Sequence, residues 1–243
     1  MLYRSWLFIR SVLFYLAYYG SGVIYGTFSV IVWGLHLPYS VRWRLINPWT
    51  HLVMFFLRAI CGVRVEIRGD YHKDAQPFVI MCKHQSTFET LFLQCHFGPV
   101  STILKKELLR IPFFGWGLSA LKPIAIDRSN PRQALRDVRK KGVSRLEEGI
   151  NVMIFPEGTR MRPGEVGNYA RSGADIAISA GRPVLPVAHN AGRHWPARNF
   201  ILQPGTITVI VGEPISCEGK DNKQVTEEAK AWIEAHMLEI NDG

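Results

Sequence analysis

The sequence predicts an α/β domain, a mostly parallel sheet with helices on its faces, preceded by an N-terminal membrane-associated helical segment. From Val63 onward, short apolar runs of strand length alternate with stretches of helical periodicity, the pattern of a sheet covered on both sides. Ahead of that region, residues 11–41 contain no Asp, Glu, Lys or Arg. A chain of 243 residues with 47% hydrophobic content suffices for one sizeable domain and an appendage, and it excludes a disordered protein. The expected division is residues 1–62 as membrane anchor and interfacial helix and 63–243 as the α/β domain.

As a helix, residues 11–37 would be roughly 40 Å long at about 1.5 Å per residue, against ~30 Å of hydrocarbon. The segment can cross a bilayer with tilt, or bend at Gly20-Ser21-Gly22 and re-enter. Arg4 and Arg10 before it and Arg42 and Arg44 after it give no orientation and favour a re-entrant hairpin. A signal peptide would be shorter and would be followed by an A-x-A site. Residues 49–61 are a second apolar stretch, too short to span, suited equally to an interfacial helix and to a core helix.

Strands are expected at 63–68, where apolar and charged residues alternate, and at 78–82, 101–104, 121–126, 151–155, 183–188 and 206–211. The strand at 121–126 ends at Asp127-Arg128. Asn130-Pro131 then supplies an N-cap and an N1 proline for a helix that places Ala134, Leu135, Val138 and Leu146 on one face and stops at Gly149. Further helices are expected at 174–180 and 225–237. Residues 111–117, apolar but broken by Pro and Gly, read as a loop or short helix lining something greasy. Cys61, Cys82, Cys95 and Cys217 lack metal-ligand spacing and read as reduced residues of a cytosolic domain. The net charge of +9, spread along the chain, suits an anionic membrane surface or phosphorylated ligands as well as nucleic acid.

Two turns carry candidate chemistry. Lys83 and His84 end the strand at 78–82, and Ser86-Thr87-Phe88-Glu89 has the Ser-x-x-Glu form that opens a helix. Glu89, in the first helical turn, can hold one ring nitrogen of His84 and leave the other to take a proton from a hydroxyl. Glu89 can equally be no more than a cap. Phe155-Pro156-Glu157-Gly158-Thr159-Arg160 leaves another strand, so in a parallel sheet both turns lie on one edge, where ligands bind. Backbone N–H groups at Gly158, the Thr159 hydroxyl and the fork of Arg160 suit a phosphate. Glu157 can accept from a neighbouring hydroxyl or pair with a cation that fixes the loop.

His84-Gln-Ser-Thr-Phe-Glu89 with Phe155-Pro-Glu-Gly-Thr-Arg160 resembles the 1-acyl-sn-glycerol-3-phosphate acyltransferase family. Lys105 through Phe114-Gly115 is similar to the family's second motif and Val184-Leu-Pro-Val187 to its fourth. One departure stands out: the family pattern is H-x4-D, and this chain has Glu89, which keeps the charge and adds a methylene. The resemblance implies a membrane-bound enzyme facing the cytosol at an inner, cytoplasmic-type membrane. Its expected reaction moves a fatty acyl group from acyl-CoA or acyl-carrier protein to the sn-2 hydroxyl of lysophosphatidic acid, giving phosphatidic acid. His84 and Glu89 are the implied catalytic pair, and Arg160, with Glu157, Gly158, Thr159 and Lys105, the implied substrate-binding set. Neither cofactor, metal nor nucleic acid is implied.

Rival readings are an acyltransferase with lyso-ornithine lipid or glycerol 3-phosphate as acceptor, and a non-catalytic membrane protein that binds anionic lipid. A metal-dependent hydrolase using His84, His96, His189 or His194 has no zinc-like ligand spacing behind it. A serine hydrolase lacks its G-x-S-x-G elbow.

Overall fold

A computed structural model of the chain describes residues 2–70, 72–127 and 129–242. Three helices come first, α1 (Leu2–Gly34), α2 (Tyr39–Ile46) and α3 (Pro48–Cys61). The α/β region follows as β1 (Val63–Arg68), β2 (Val79–Cys82), α4 (Phe88–His96), β3 (Val100–Lys105), α5 (Phe114–Ser119), β4 (Ile124–Ile126), α6 (Pro131–Glu147), β5 (Asn151–Ile154), α7 (Ser172–Ala180), β6 (Val184–His189), the single turn α8 (Ala191–His194), β7 (Gly205–Val211) and α9 (Asn222–Asp242).

The seven strands form one sheet in the order β1-β7-β6-β2-β5-β3-β4. From β6 to β4 all pairings are parallel, β7 runs antiparallel to β6, and β1 is parallel to β7. The central strands are buried on both faces, which is why β2 and β5 read as unbroken apolar runs. Their side chains alternate between two cores. Ile80 and Cys82 point into a cluster shared with α1, α3 and α4, whereas Val79 and Met81 join the cluster under α6, α7 and α9.

Most predicted elements are present within a few residues of their expected bounds. Strand β4 begins only at Ile124, because Lys122 adopts a positive φ of 53° that breaks the extended run before Pro123. Arg128 lies outside the described residues. Asn130 caps α6 by accepting the Gln133 N–H, as its sequence indicates. Leu135 departs from the expected buried face of α6 and is 59% exposed, at the wall of a cavity described below.

Of the two courses open to the N-terminal segment, the bend at Gly20-Ser21-Gly22 is absent. α1 is one continuous helix of 33 residues, long and apolar enough to cross a membrane. Packing requires neither glycine: a Cβ at Gly20 would meet nothing within 4 Å, and one at Gly22 would stand in ordinary contact, 3.4 Å from the indole of Trp49, whose N–H donates to the Ser21 hydroxyl at 3.1 Å. The chain turns back after Gly34 instead, and α3 runs antiparallel to α1, with the Arg10 guanidinium donating to the Ile60 carbonyl near the other end. Buried residues on α1 run from Leu7 through Phe14 and Tyr18 to Val32, while Leu16, Ile24 and Ile31 on its opposite side are exposed. The helix therefore packs lengthwise on the domain and shares its core. α3 packs on the domain through the buried Val53 and Leu57 and leaves Phe55 exposed.

Candidate active site

β2 and β5 are parallel neighbours, so the turns that follow them emerge side by side. They are tied together, because the Met161 N–H donates to the His84 carbonyl at 2.7 Å and the His84 N–H donates to Glu157 Oε2 at 2.9 Å. A cavity of about 710 Å³ opens there, and His84, Lys105, Gly158, Thr159 and Arg160 all line it. Phe113, Phe114 and Gly117, from the segment expected to line something greasy, form part of its apolar wall with Tyr25 and Gly26 of α1. Only glycine fits at position 26, since a Cβ would come within 2.6 Å of the Phe113 backbone.

Glu89 is fully buried behind His84. Its Oε1 lies 2.7 Å from His84 Nδ1 and also accepts the Gln85 and Ser86 N–H groups at 3.0 and 2.9 Å. The capping box differs in detail from its expected form: the Ser86 hydroxyl accepts from the Phe88 N–H rather than from that of Glu89. Glu89 thus caps the turn and holds the histidine with the same oxygen. Burial pushes its carboxyl up, but the His189 and His84 imidazoles and the backbone donors outweigh burial, so the group sits below the ordinary carboxylate value. An ionised Glu89 assigns the Nδ1 proton to the shared hydrogen bond. In the neutral ring that tautomer leaves Nε2 as the acceptor, and the ring lines the cavity. The ring stacks on Phe155, with centroids 4.2 Å apart and planes 15° apart, which fixes its tilt.

The structure separates the sequence-derived set into two groups. His84, Lys105, Gly158, Thr159 and Arg160 reach the cavity, whereas the Glu157 side chain is fully enclosed and turned inward. Of the two roles open to Glu157, its contacts match the pairing with a cation: Lys83 Nζ lies 2.7 Å from Oε1. Burial pushes the Glu157 carboxyl up, partly offset by Lys83 and the His84 N–H.

The sequence pattern assigned no site role to Lys83 or Glu234, and His189 entered only in the rival reading of a metal-dependent hydrolase. Lys83 is 1% exposed; its Nζ donates to Glu234 of α9 at 2.8 Å and to the Glu165 carbonyl at 2.9 Å, and forms an ion pair with Glu157 Oε1 at 2.7 Å. A lysine closing a wholly apolar strand was the available signal, since such a charge needs buried partners. His189, at the end of β6, lies 3.7 Å from Glu89 Oε2. It spends Nε2–H on the Lys83 carbonyl and accepts the Ala191 N–H at Nδ1, and burial lowers its pKa, so it is a neutral support.

The acyltransferase family model matches residues 64–190. A 1-acyl-sn-glycerol-3-phosphate acyltransferase from Pseudomonas aeruginosa is 44% identical over 237 residues, covering 96% of this chain and 92% of the relative. The chain belongs to the 1-acyl-sn-glycerol-3-phosphate acyltransferase family. A plant member of that family, from Limnanthes douglasii, is 27% identical over 78% of this chain and 70% of its own length. The crystal structure of a 1-acyl-sn-glycerophosphate acyltransferase from Thermotoga maritima has the same fold, with a TM-score of 0.78 at 21% identity over 96% of this chain and 95% of that one.

Proposed function

We propose that this enzyme transfers a fatty acyl group from an acyl thioester to the sn-2 hydroxyl of lysophosphatidic acid, forming phosphatidic acid, with His84 as general base and Glu89 as its partner. The observation that carries the reading is the 2.7 Å contact between His84 Nδ1 and a buried Glu89, beside a cavity shared with Gly158, Thr159 and Arg160. His84 Nε2 takes the hydroxyl proton as the acceptor oxygen attacks the thioester carbonyl, and the ionised Glu89 stabilises the imidazolium. As the C–S bond breaks, the same proton passes to the departing thiolate, so no covalent enzyme intermediate is required. Arg160 and the Gly158–Thr159 backbone grip the acceptor phosphate, with Lys105 as a further cation on the cavity wall. The acyl donor, acyl-CoA or acyl-carrier protein, is a substrate, and the chemistry uses no cofactor.

The reading places the enzyme on a membrane, in a cytosolic orientation. The exposed apolar side of α1 supports contact with lipid, and four free cysteines suit a reducing compartment. Because α1 packs on the domain along its length, it lies along one leaflet in this reading rather than standing clear of the domain.

The test is an acyl-transfer assay with purified protein, both thioester donors and a panel of acceptors that includes glycerol 3-phosphate and lyso-ornithine lipid. Lysophosphatidic acid should be the preferred acceptor, and His84→Ala should lower kcat by about 10²–10⁴ while lipid still binds. A preference for another acceptor would replace the substrate, and an active His84→Ala variant would remove the base.

A further inference from the structure

We infer that Arg198 is a second phosphate-binding residue, gripping the phosphomonoester of the acceptor together with Arg160; this rests on the acyltransferase reading above. Arg198 lies outside the 64–190 region matched by the family model, on the loop between α8 and β7.

That loop is bolted to the catalytic turn. The Ser86 hydroxyl donates to the Trp195 carbonyl at 2.6 Å, and the Gln85 side-chain carbonyl accepts the Gly192 N–H at 3.3 Å. The two residues that follow His84 therefore set the position of the segment leading to Arg198. Sheet order extends the relation, because β6, β2, β5 and β3 are successive strands. Arg198, His84 and Arg160 lie on the segments that follow the first three and Lys105 ends the fourth, so Arg198 and Arg160 follow the two strands that flank the one leading to His84.

The Arg198 loop and Arg160 are both related to the same stretch of α1, and both arginines line the one cavity. Trp195 is buried with its ring set edge-on to Phe14 and Tyr18, at centroid distances of 5.0 and 5.8 Å. Arg160 acts electrostatically on Tyr15 and Tyr18 of the same two turns. Both guanidinium-bearing residues line the cavity with His84, and Arg198 is exposed, with no protein ion pair among the described residues. Lys83, the nearby cation in the sequence, is by contrast wholly spent on protein acceptors. A phosphomonoester carries about −1.5 to −2 charges at neutral pH, which one arginine leaves uncompensated and two nearly neutralise. Arginine is suited to this, since its fork binds two phosphate oxygens at once.

The experiment measures steady-state kinetics of Arg198→Ala with lysophosphatidic acid, with 1-monoacylglycerol, which lacks the phosphate, and with varied acyl-CoA. The expected result is a roughly tenfold rise in KM for lysophosphatidic acid, on the scale of lost charge-assisted hydrogen bonds. KM for acyl-CoA should stay within about twofold, the rate on monoacylglycerol should not change, and the melting temperature should hold because the side chain is exposed. Combined with Arg160→Ala, the losses should be less than multiplicative if both residues hold one phosphate. A rise confined to acyl-CoA would assign Arg198 to the donor's phosphates and overturn the inference. Equal losses on both acceptors, or fully multiplicative losses in the double variant, would overturn it as well. Unchanged kinetics in a protein whose wild type acylates lysophosphatidic acid would sink this inference alone. A wild type inert toward lysophosphatidic acid would sink the acceptor reading and Arg198's role with it.

Discussion

Glu89 performs two jobs with one oxygen, and a single substitution separates them. Glutamine at this position still offers a carbonyl to the Gln85 and Ser86 N–H groups, but it cannot stabilise an imidazolium by charge. Glu89→Gln should therefore keep its melting temperature at pH 7 within a few degrees and lose about 10²-fold or more in kcat, as judged by acyl transfer at saturating substrate. A fully active variant would reduce Glu89 to a cap. The pH dependence carries a further sign. The Glu89 carboxyl is held below its ordinary value of 4.5, so its ionisation adds stability that is fully present above 4.5 and lost as the pH falls through the lower folded-state value. Urea titrations from pH 7 down to 3 should show the gap between wild type and Glu89→Gln closing below about 4.5; a constant gap would mean the charge contributes nothing. The longer glutamate does reach the ring, at 2.7 Å, where the family pattern has an aspartate. This pairing was legible because its partners are five residues apart on a strand-to-helix turn. His189 was not, since it meets Glu89 only through the pairing of β6 with β2, a relation that periodicity does not encode.

At the level of elements, strand identities could be read because buried parallel strands are continuous apolar runs, while their ends depended on single backbone angles such as that of Lys122. The partners of α9 could not be read. Its Glu234 accepts from Lys83 across 151 residues of sequence and from the Tyr169 hydroxyl at 2.9 Å, so α9 clamps the residue that precedes His84. Glu234→Ala should leave one N–H of a buried ammonium without its acceptor. The expected cost is about 2–3 kcal/mol, below the 3–5 kcal/mol of a fully broken buried pair because Lys83 retains Glu157 and Glu234 is 17% exposed. Equilibrium urea unfolding measures this, and Glu234→Gln, which keeps an acceptor, should recover part of it. A loss under about 0.5 kcal/mol would show that α9 does not secure the turn through this contact.

For the whole molecule, the question is whether the N-terminal helices are a detachable anchor, as the division at residues 62 and 63 implies, or part of the folded unit. Hydropathy reports only that α1 is apolar all round, which cannot distinguish a helix surrounded by lipid from one with a protein side and a lipid side. Contacts separate the two cases: Phe14, Tyr18 and Val32 belong to the same core as Ile80 and Leu185, and Tyr25 and Gly26 wall the cavity. A chain beginning at Val63 should consequently aggregate or lose activity rather than become a soluble enzyme. Membrane binding is better tested on the outer side of α1, where Leu16, Ile24 and Ile31 are 66%, 69% and 59% exposed. Replacing all three with glutamate leaves the core untouched and puts three charges where the apolar surface would meet acyl chains. The variant should melt near the wild-type temperature in detergent and move largely to the supernatant when membranes are pelleted, whereas wild type should stay in the pellet at high salt because apolar burial is not screened. If the triple variant pellets as completely as wild type, lipid contact lies elsewhere, and the arginines at the ends of the hairpin become the next residues to change.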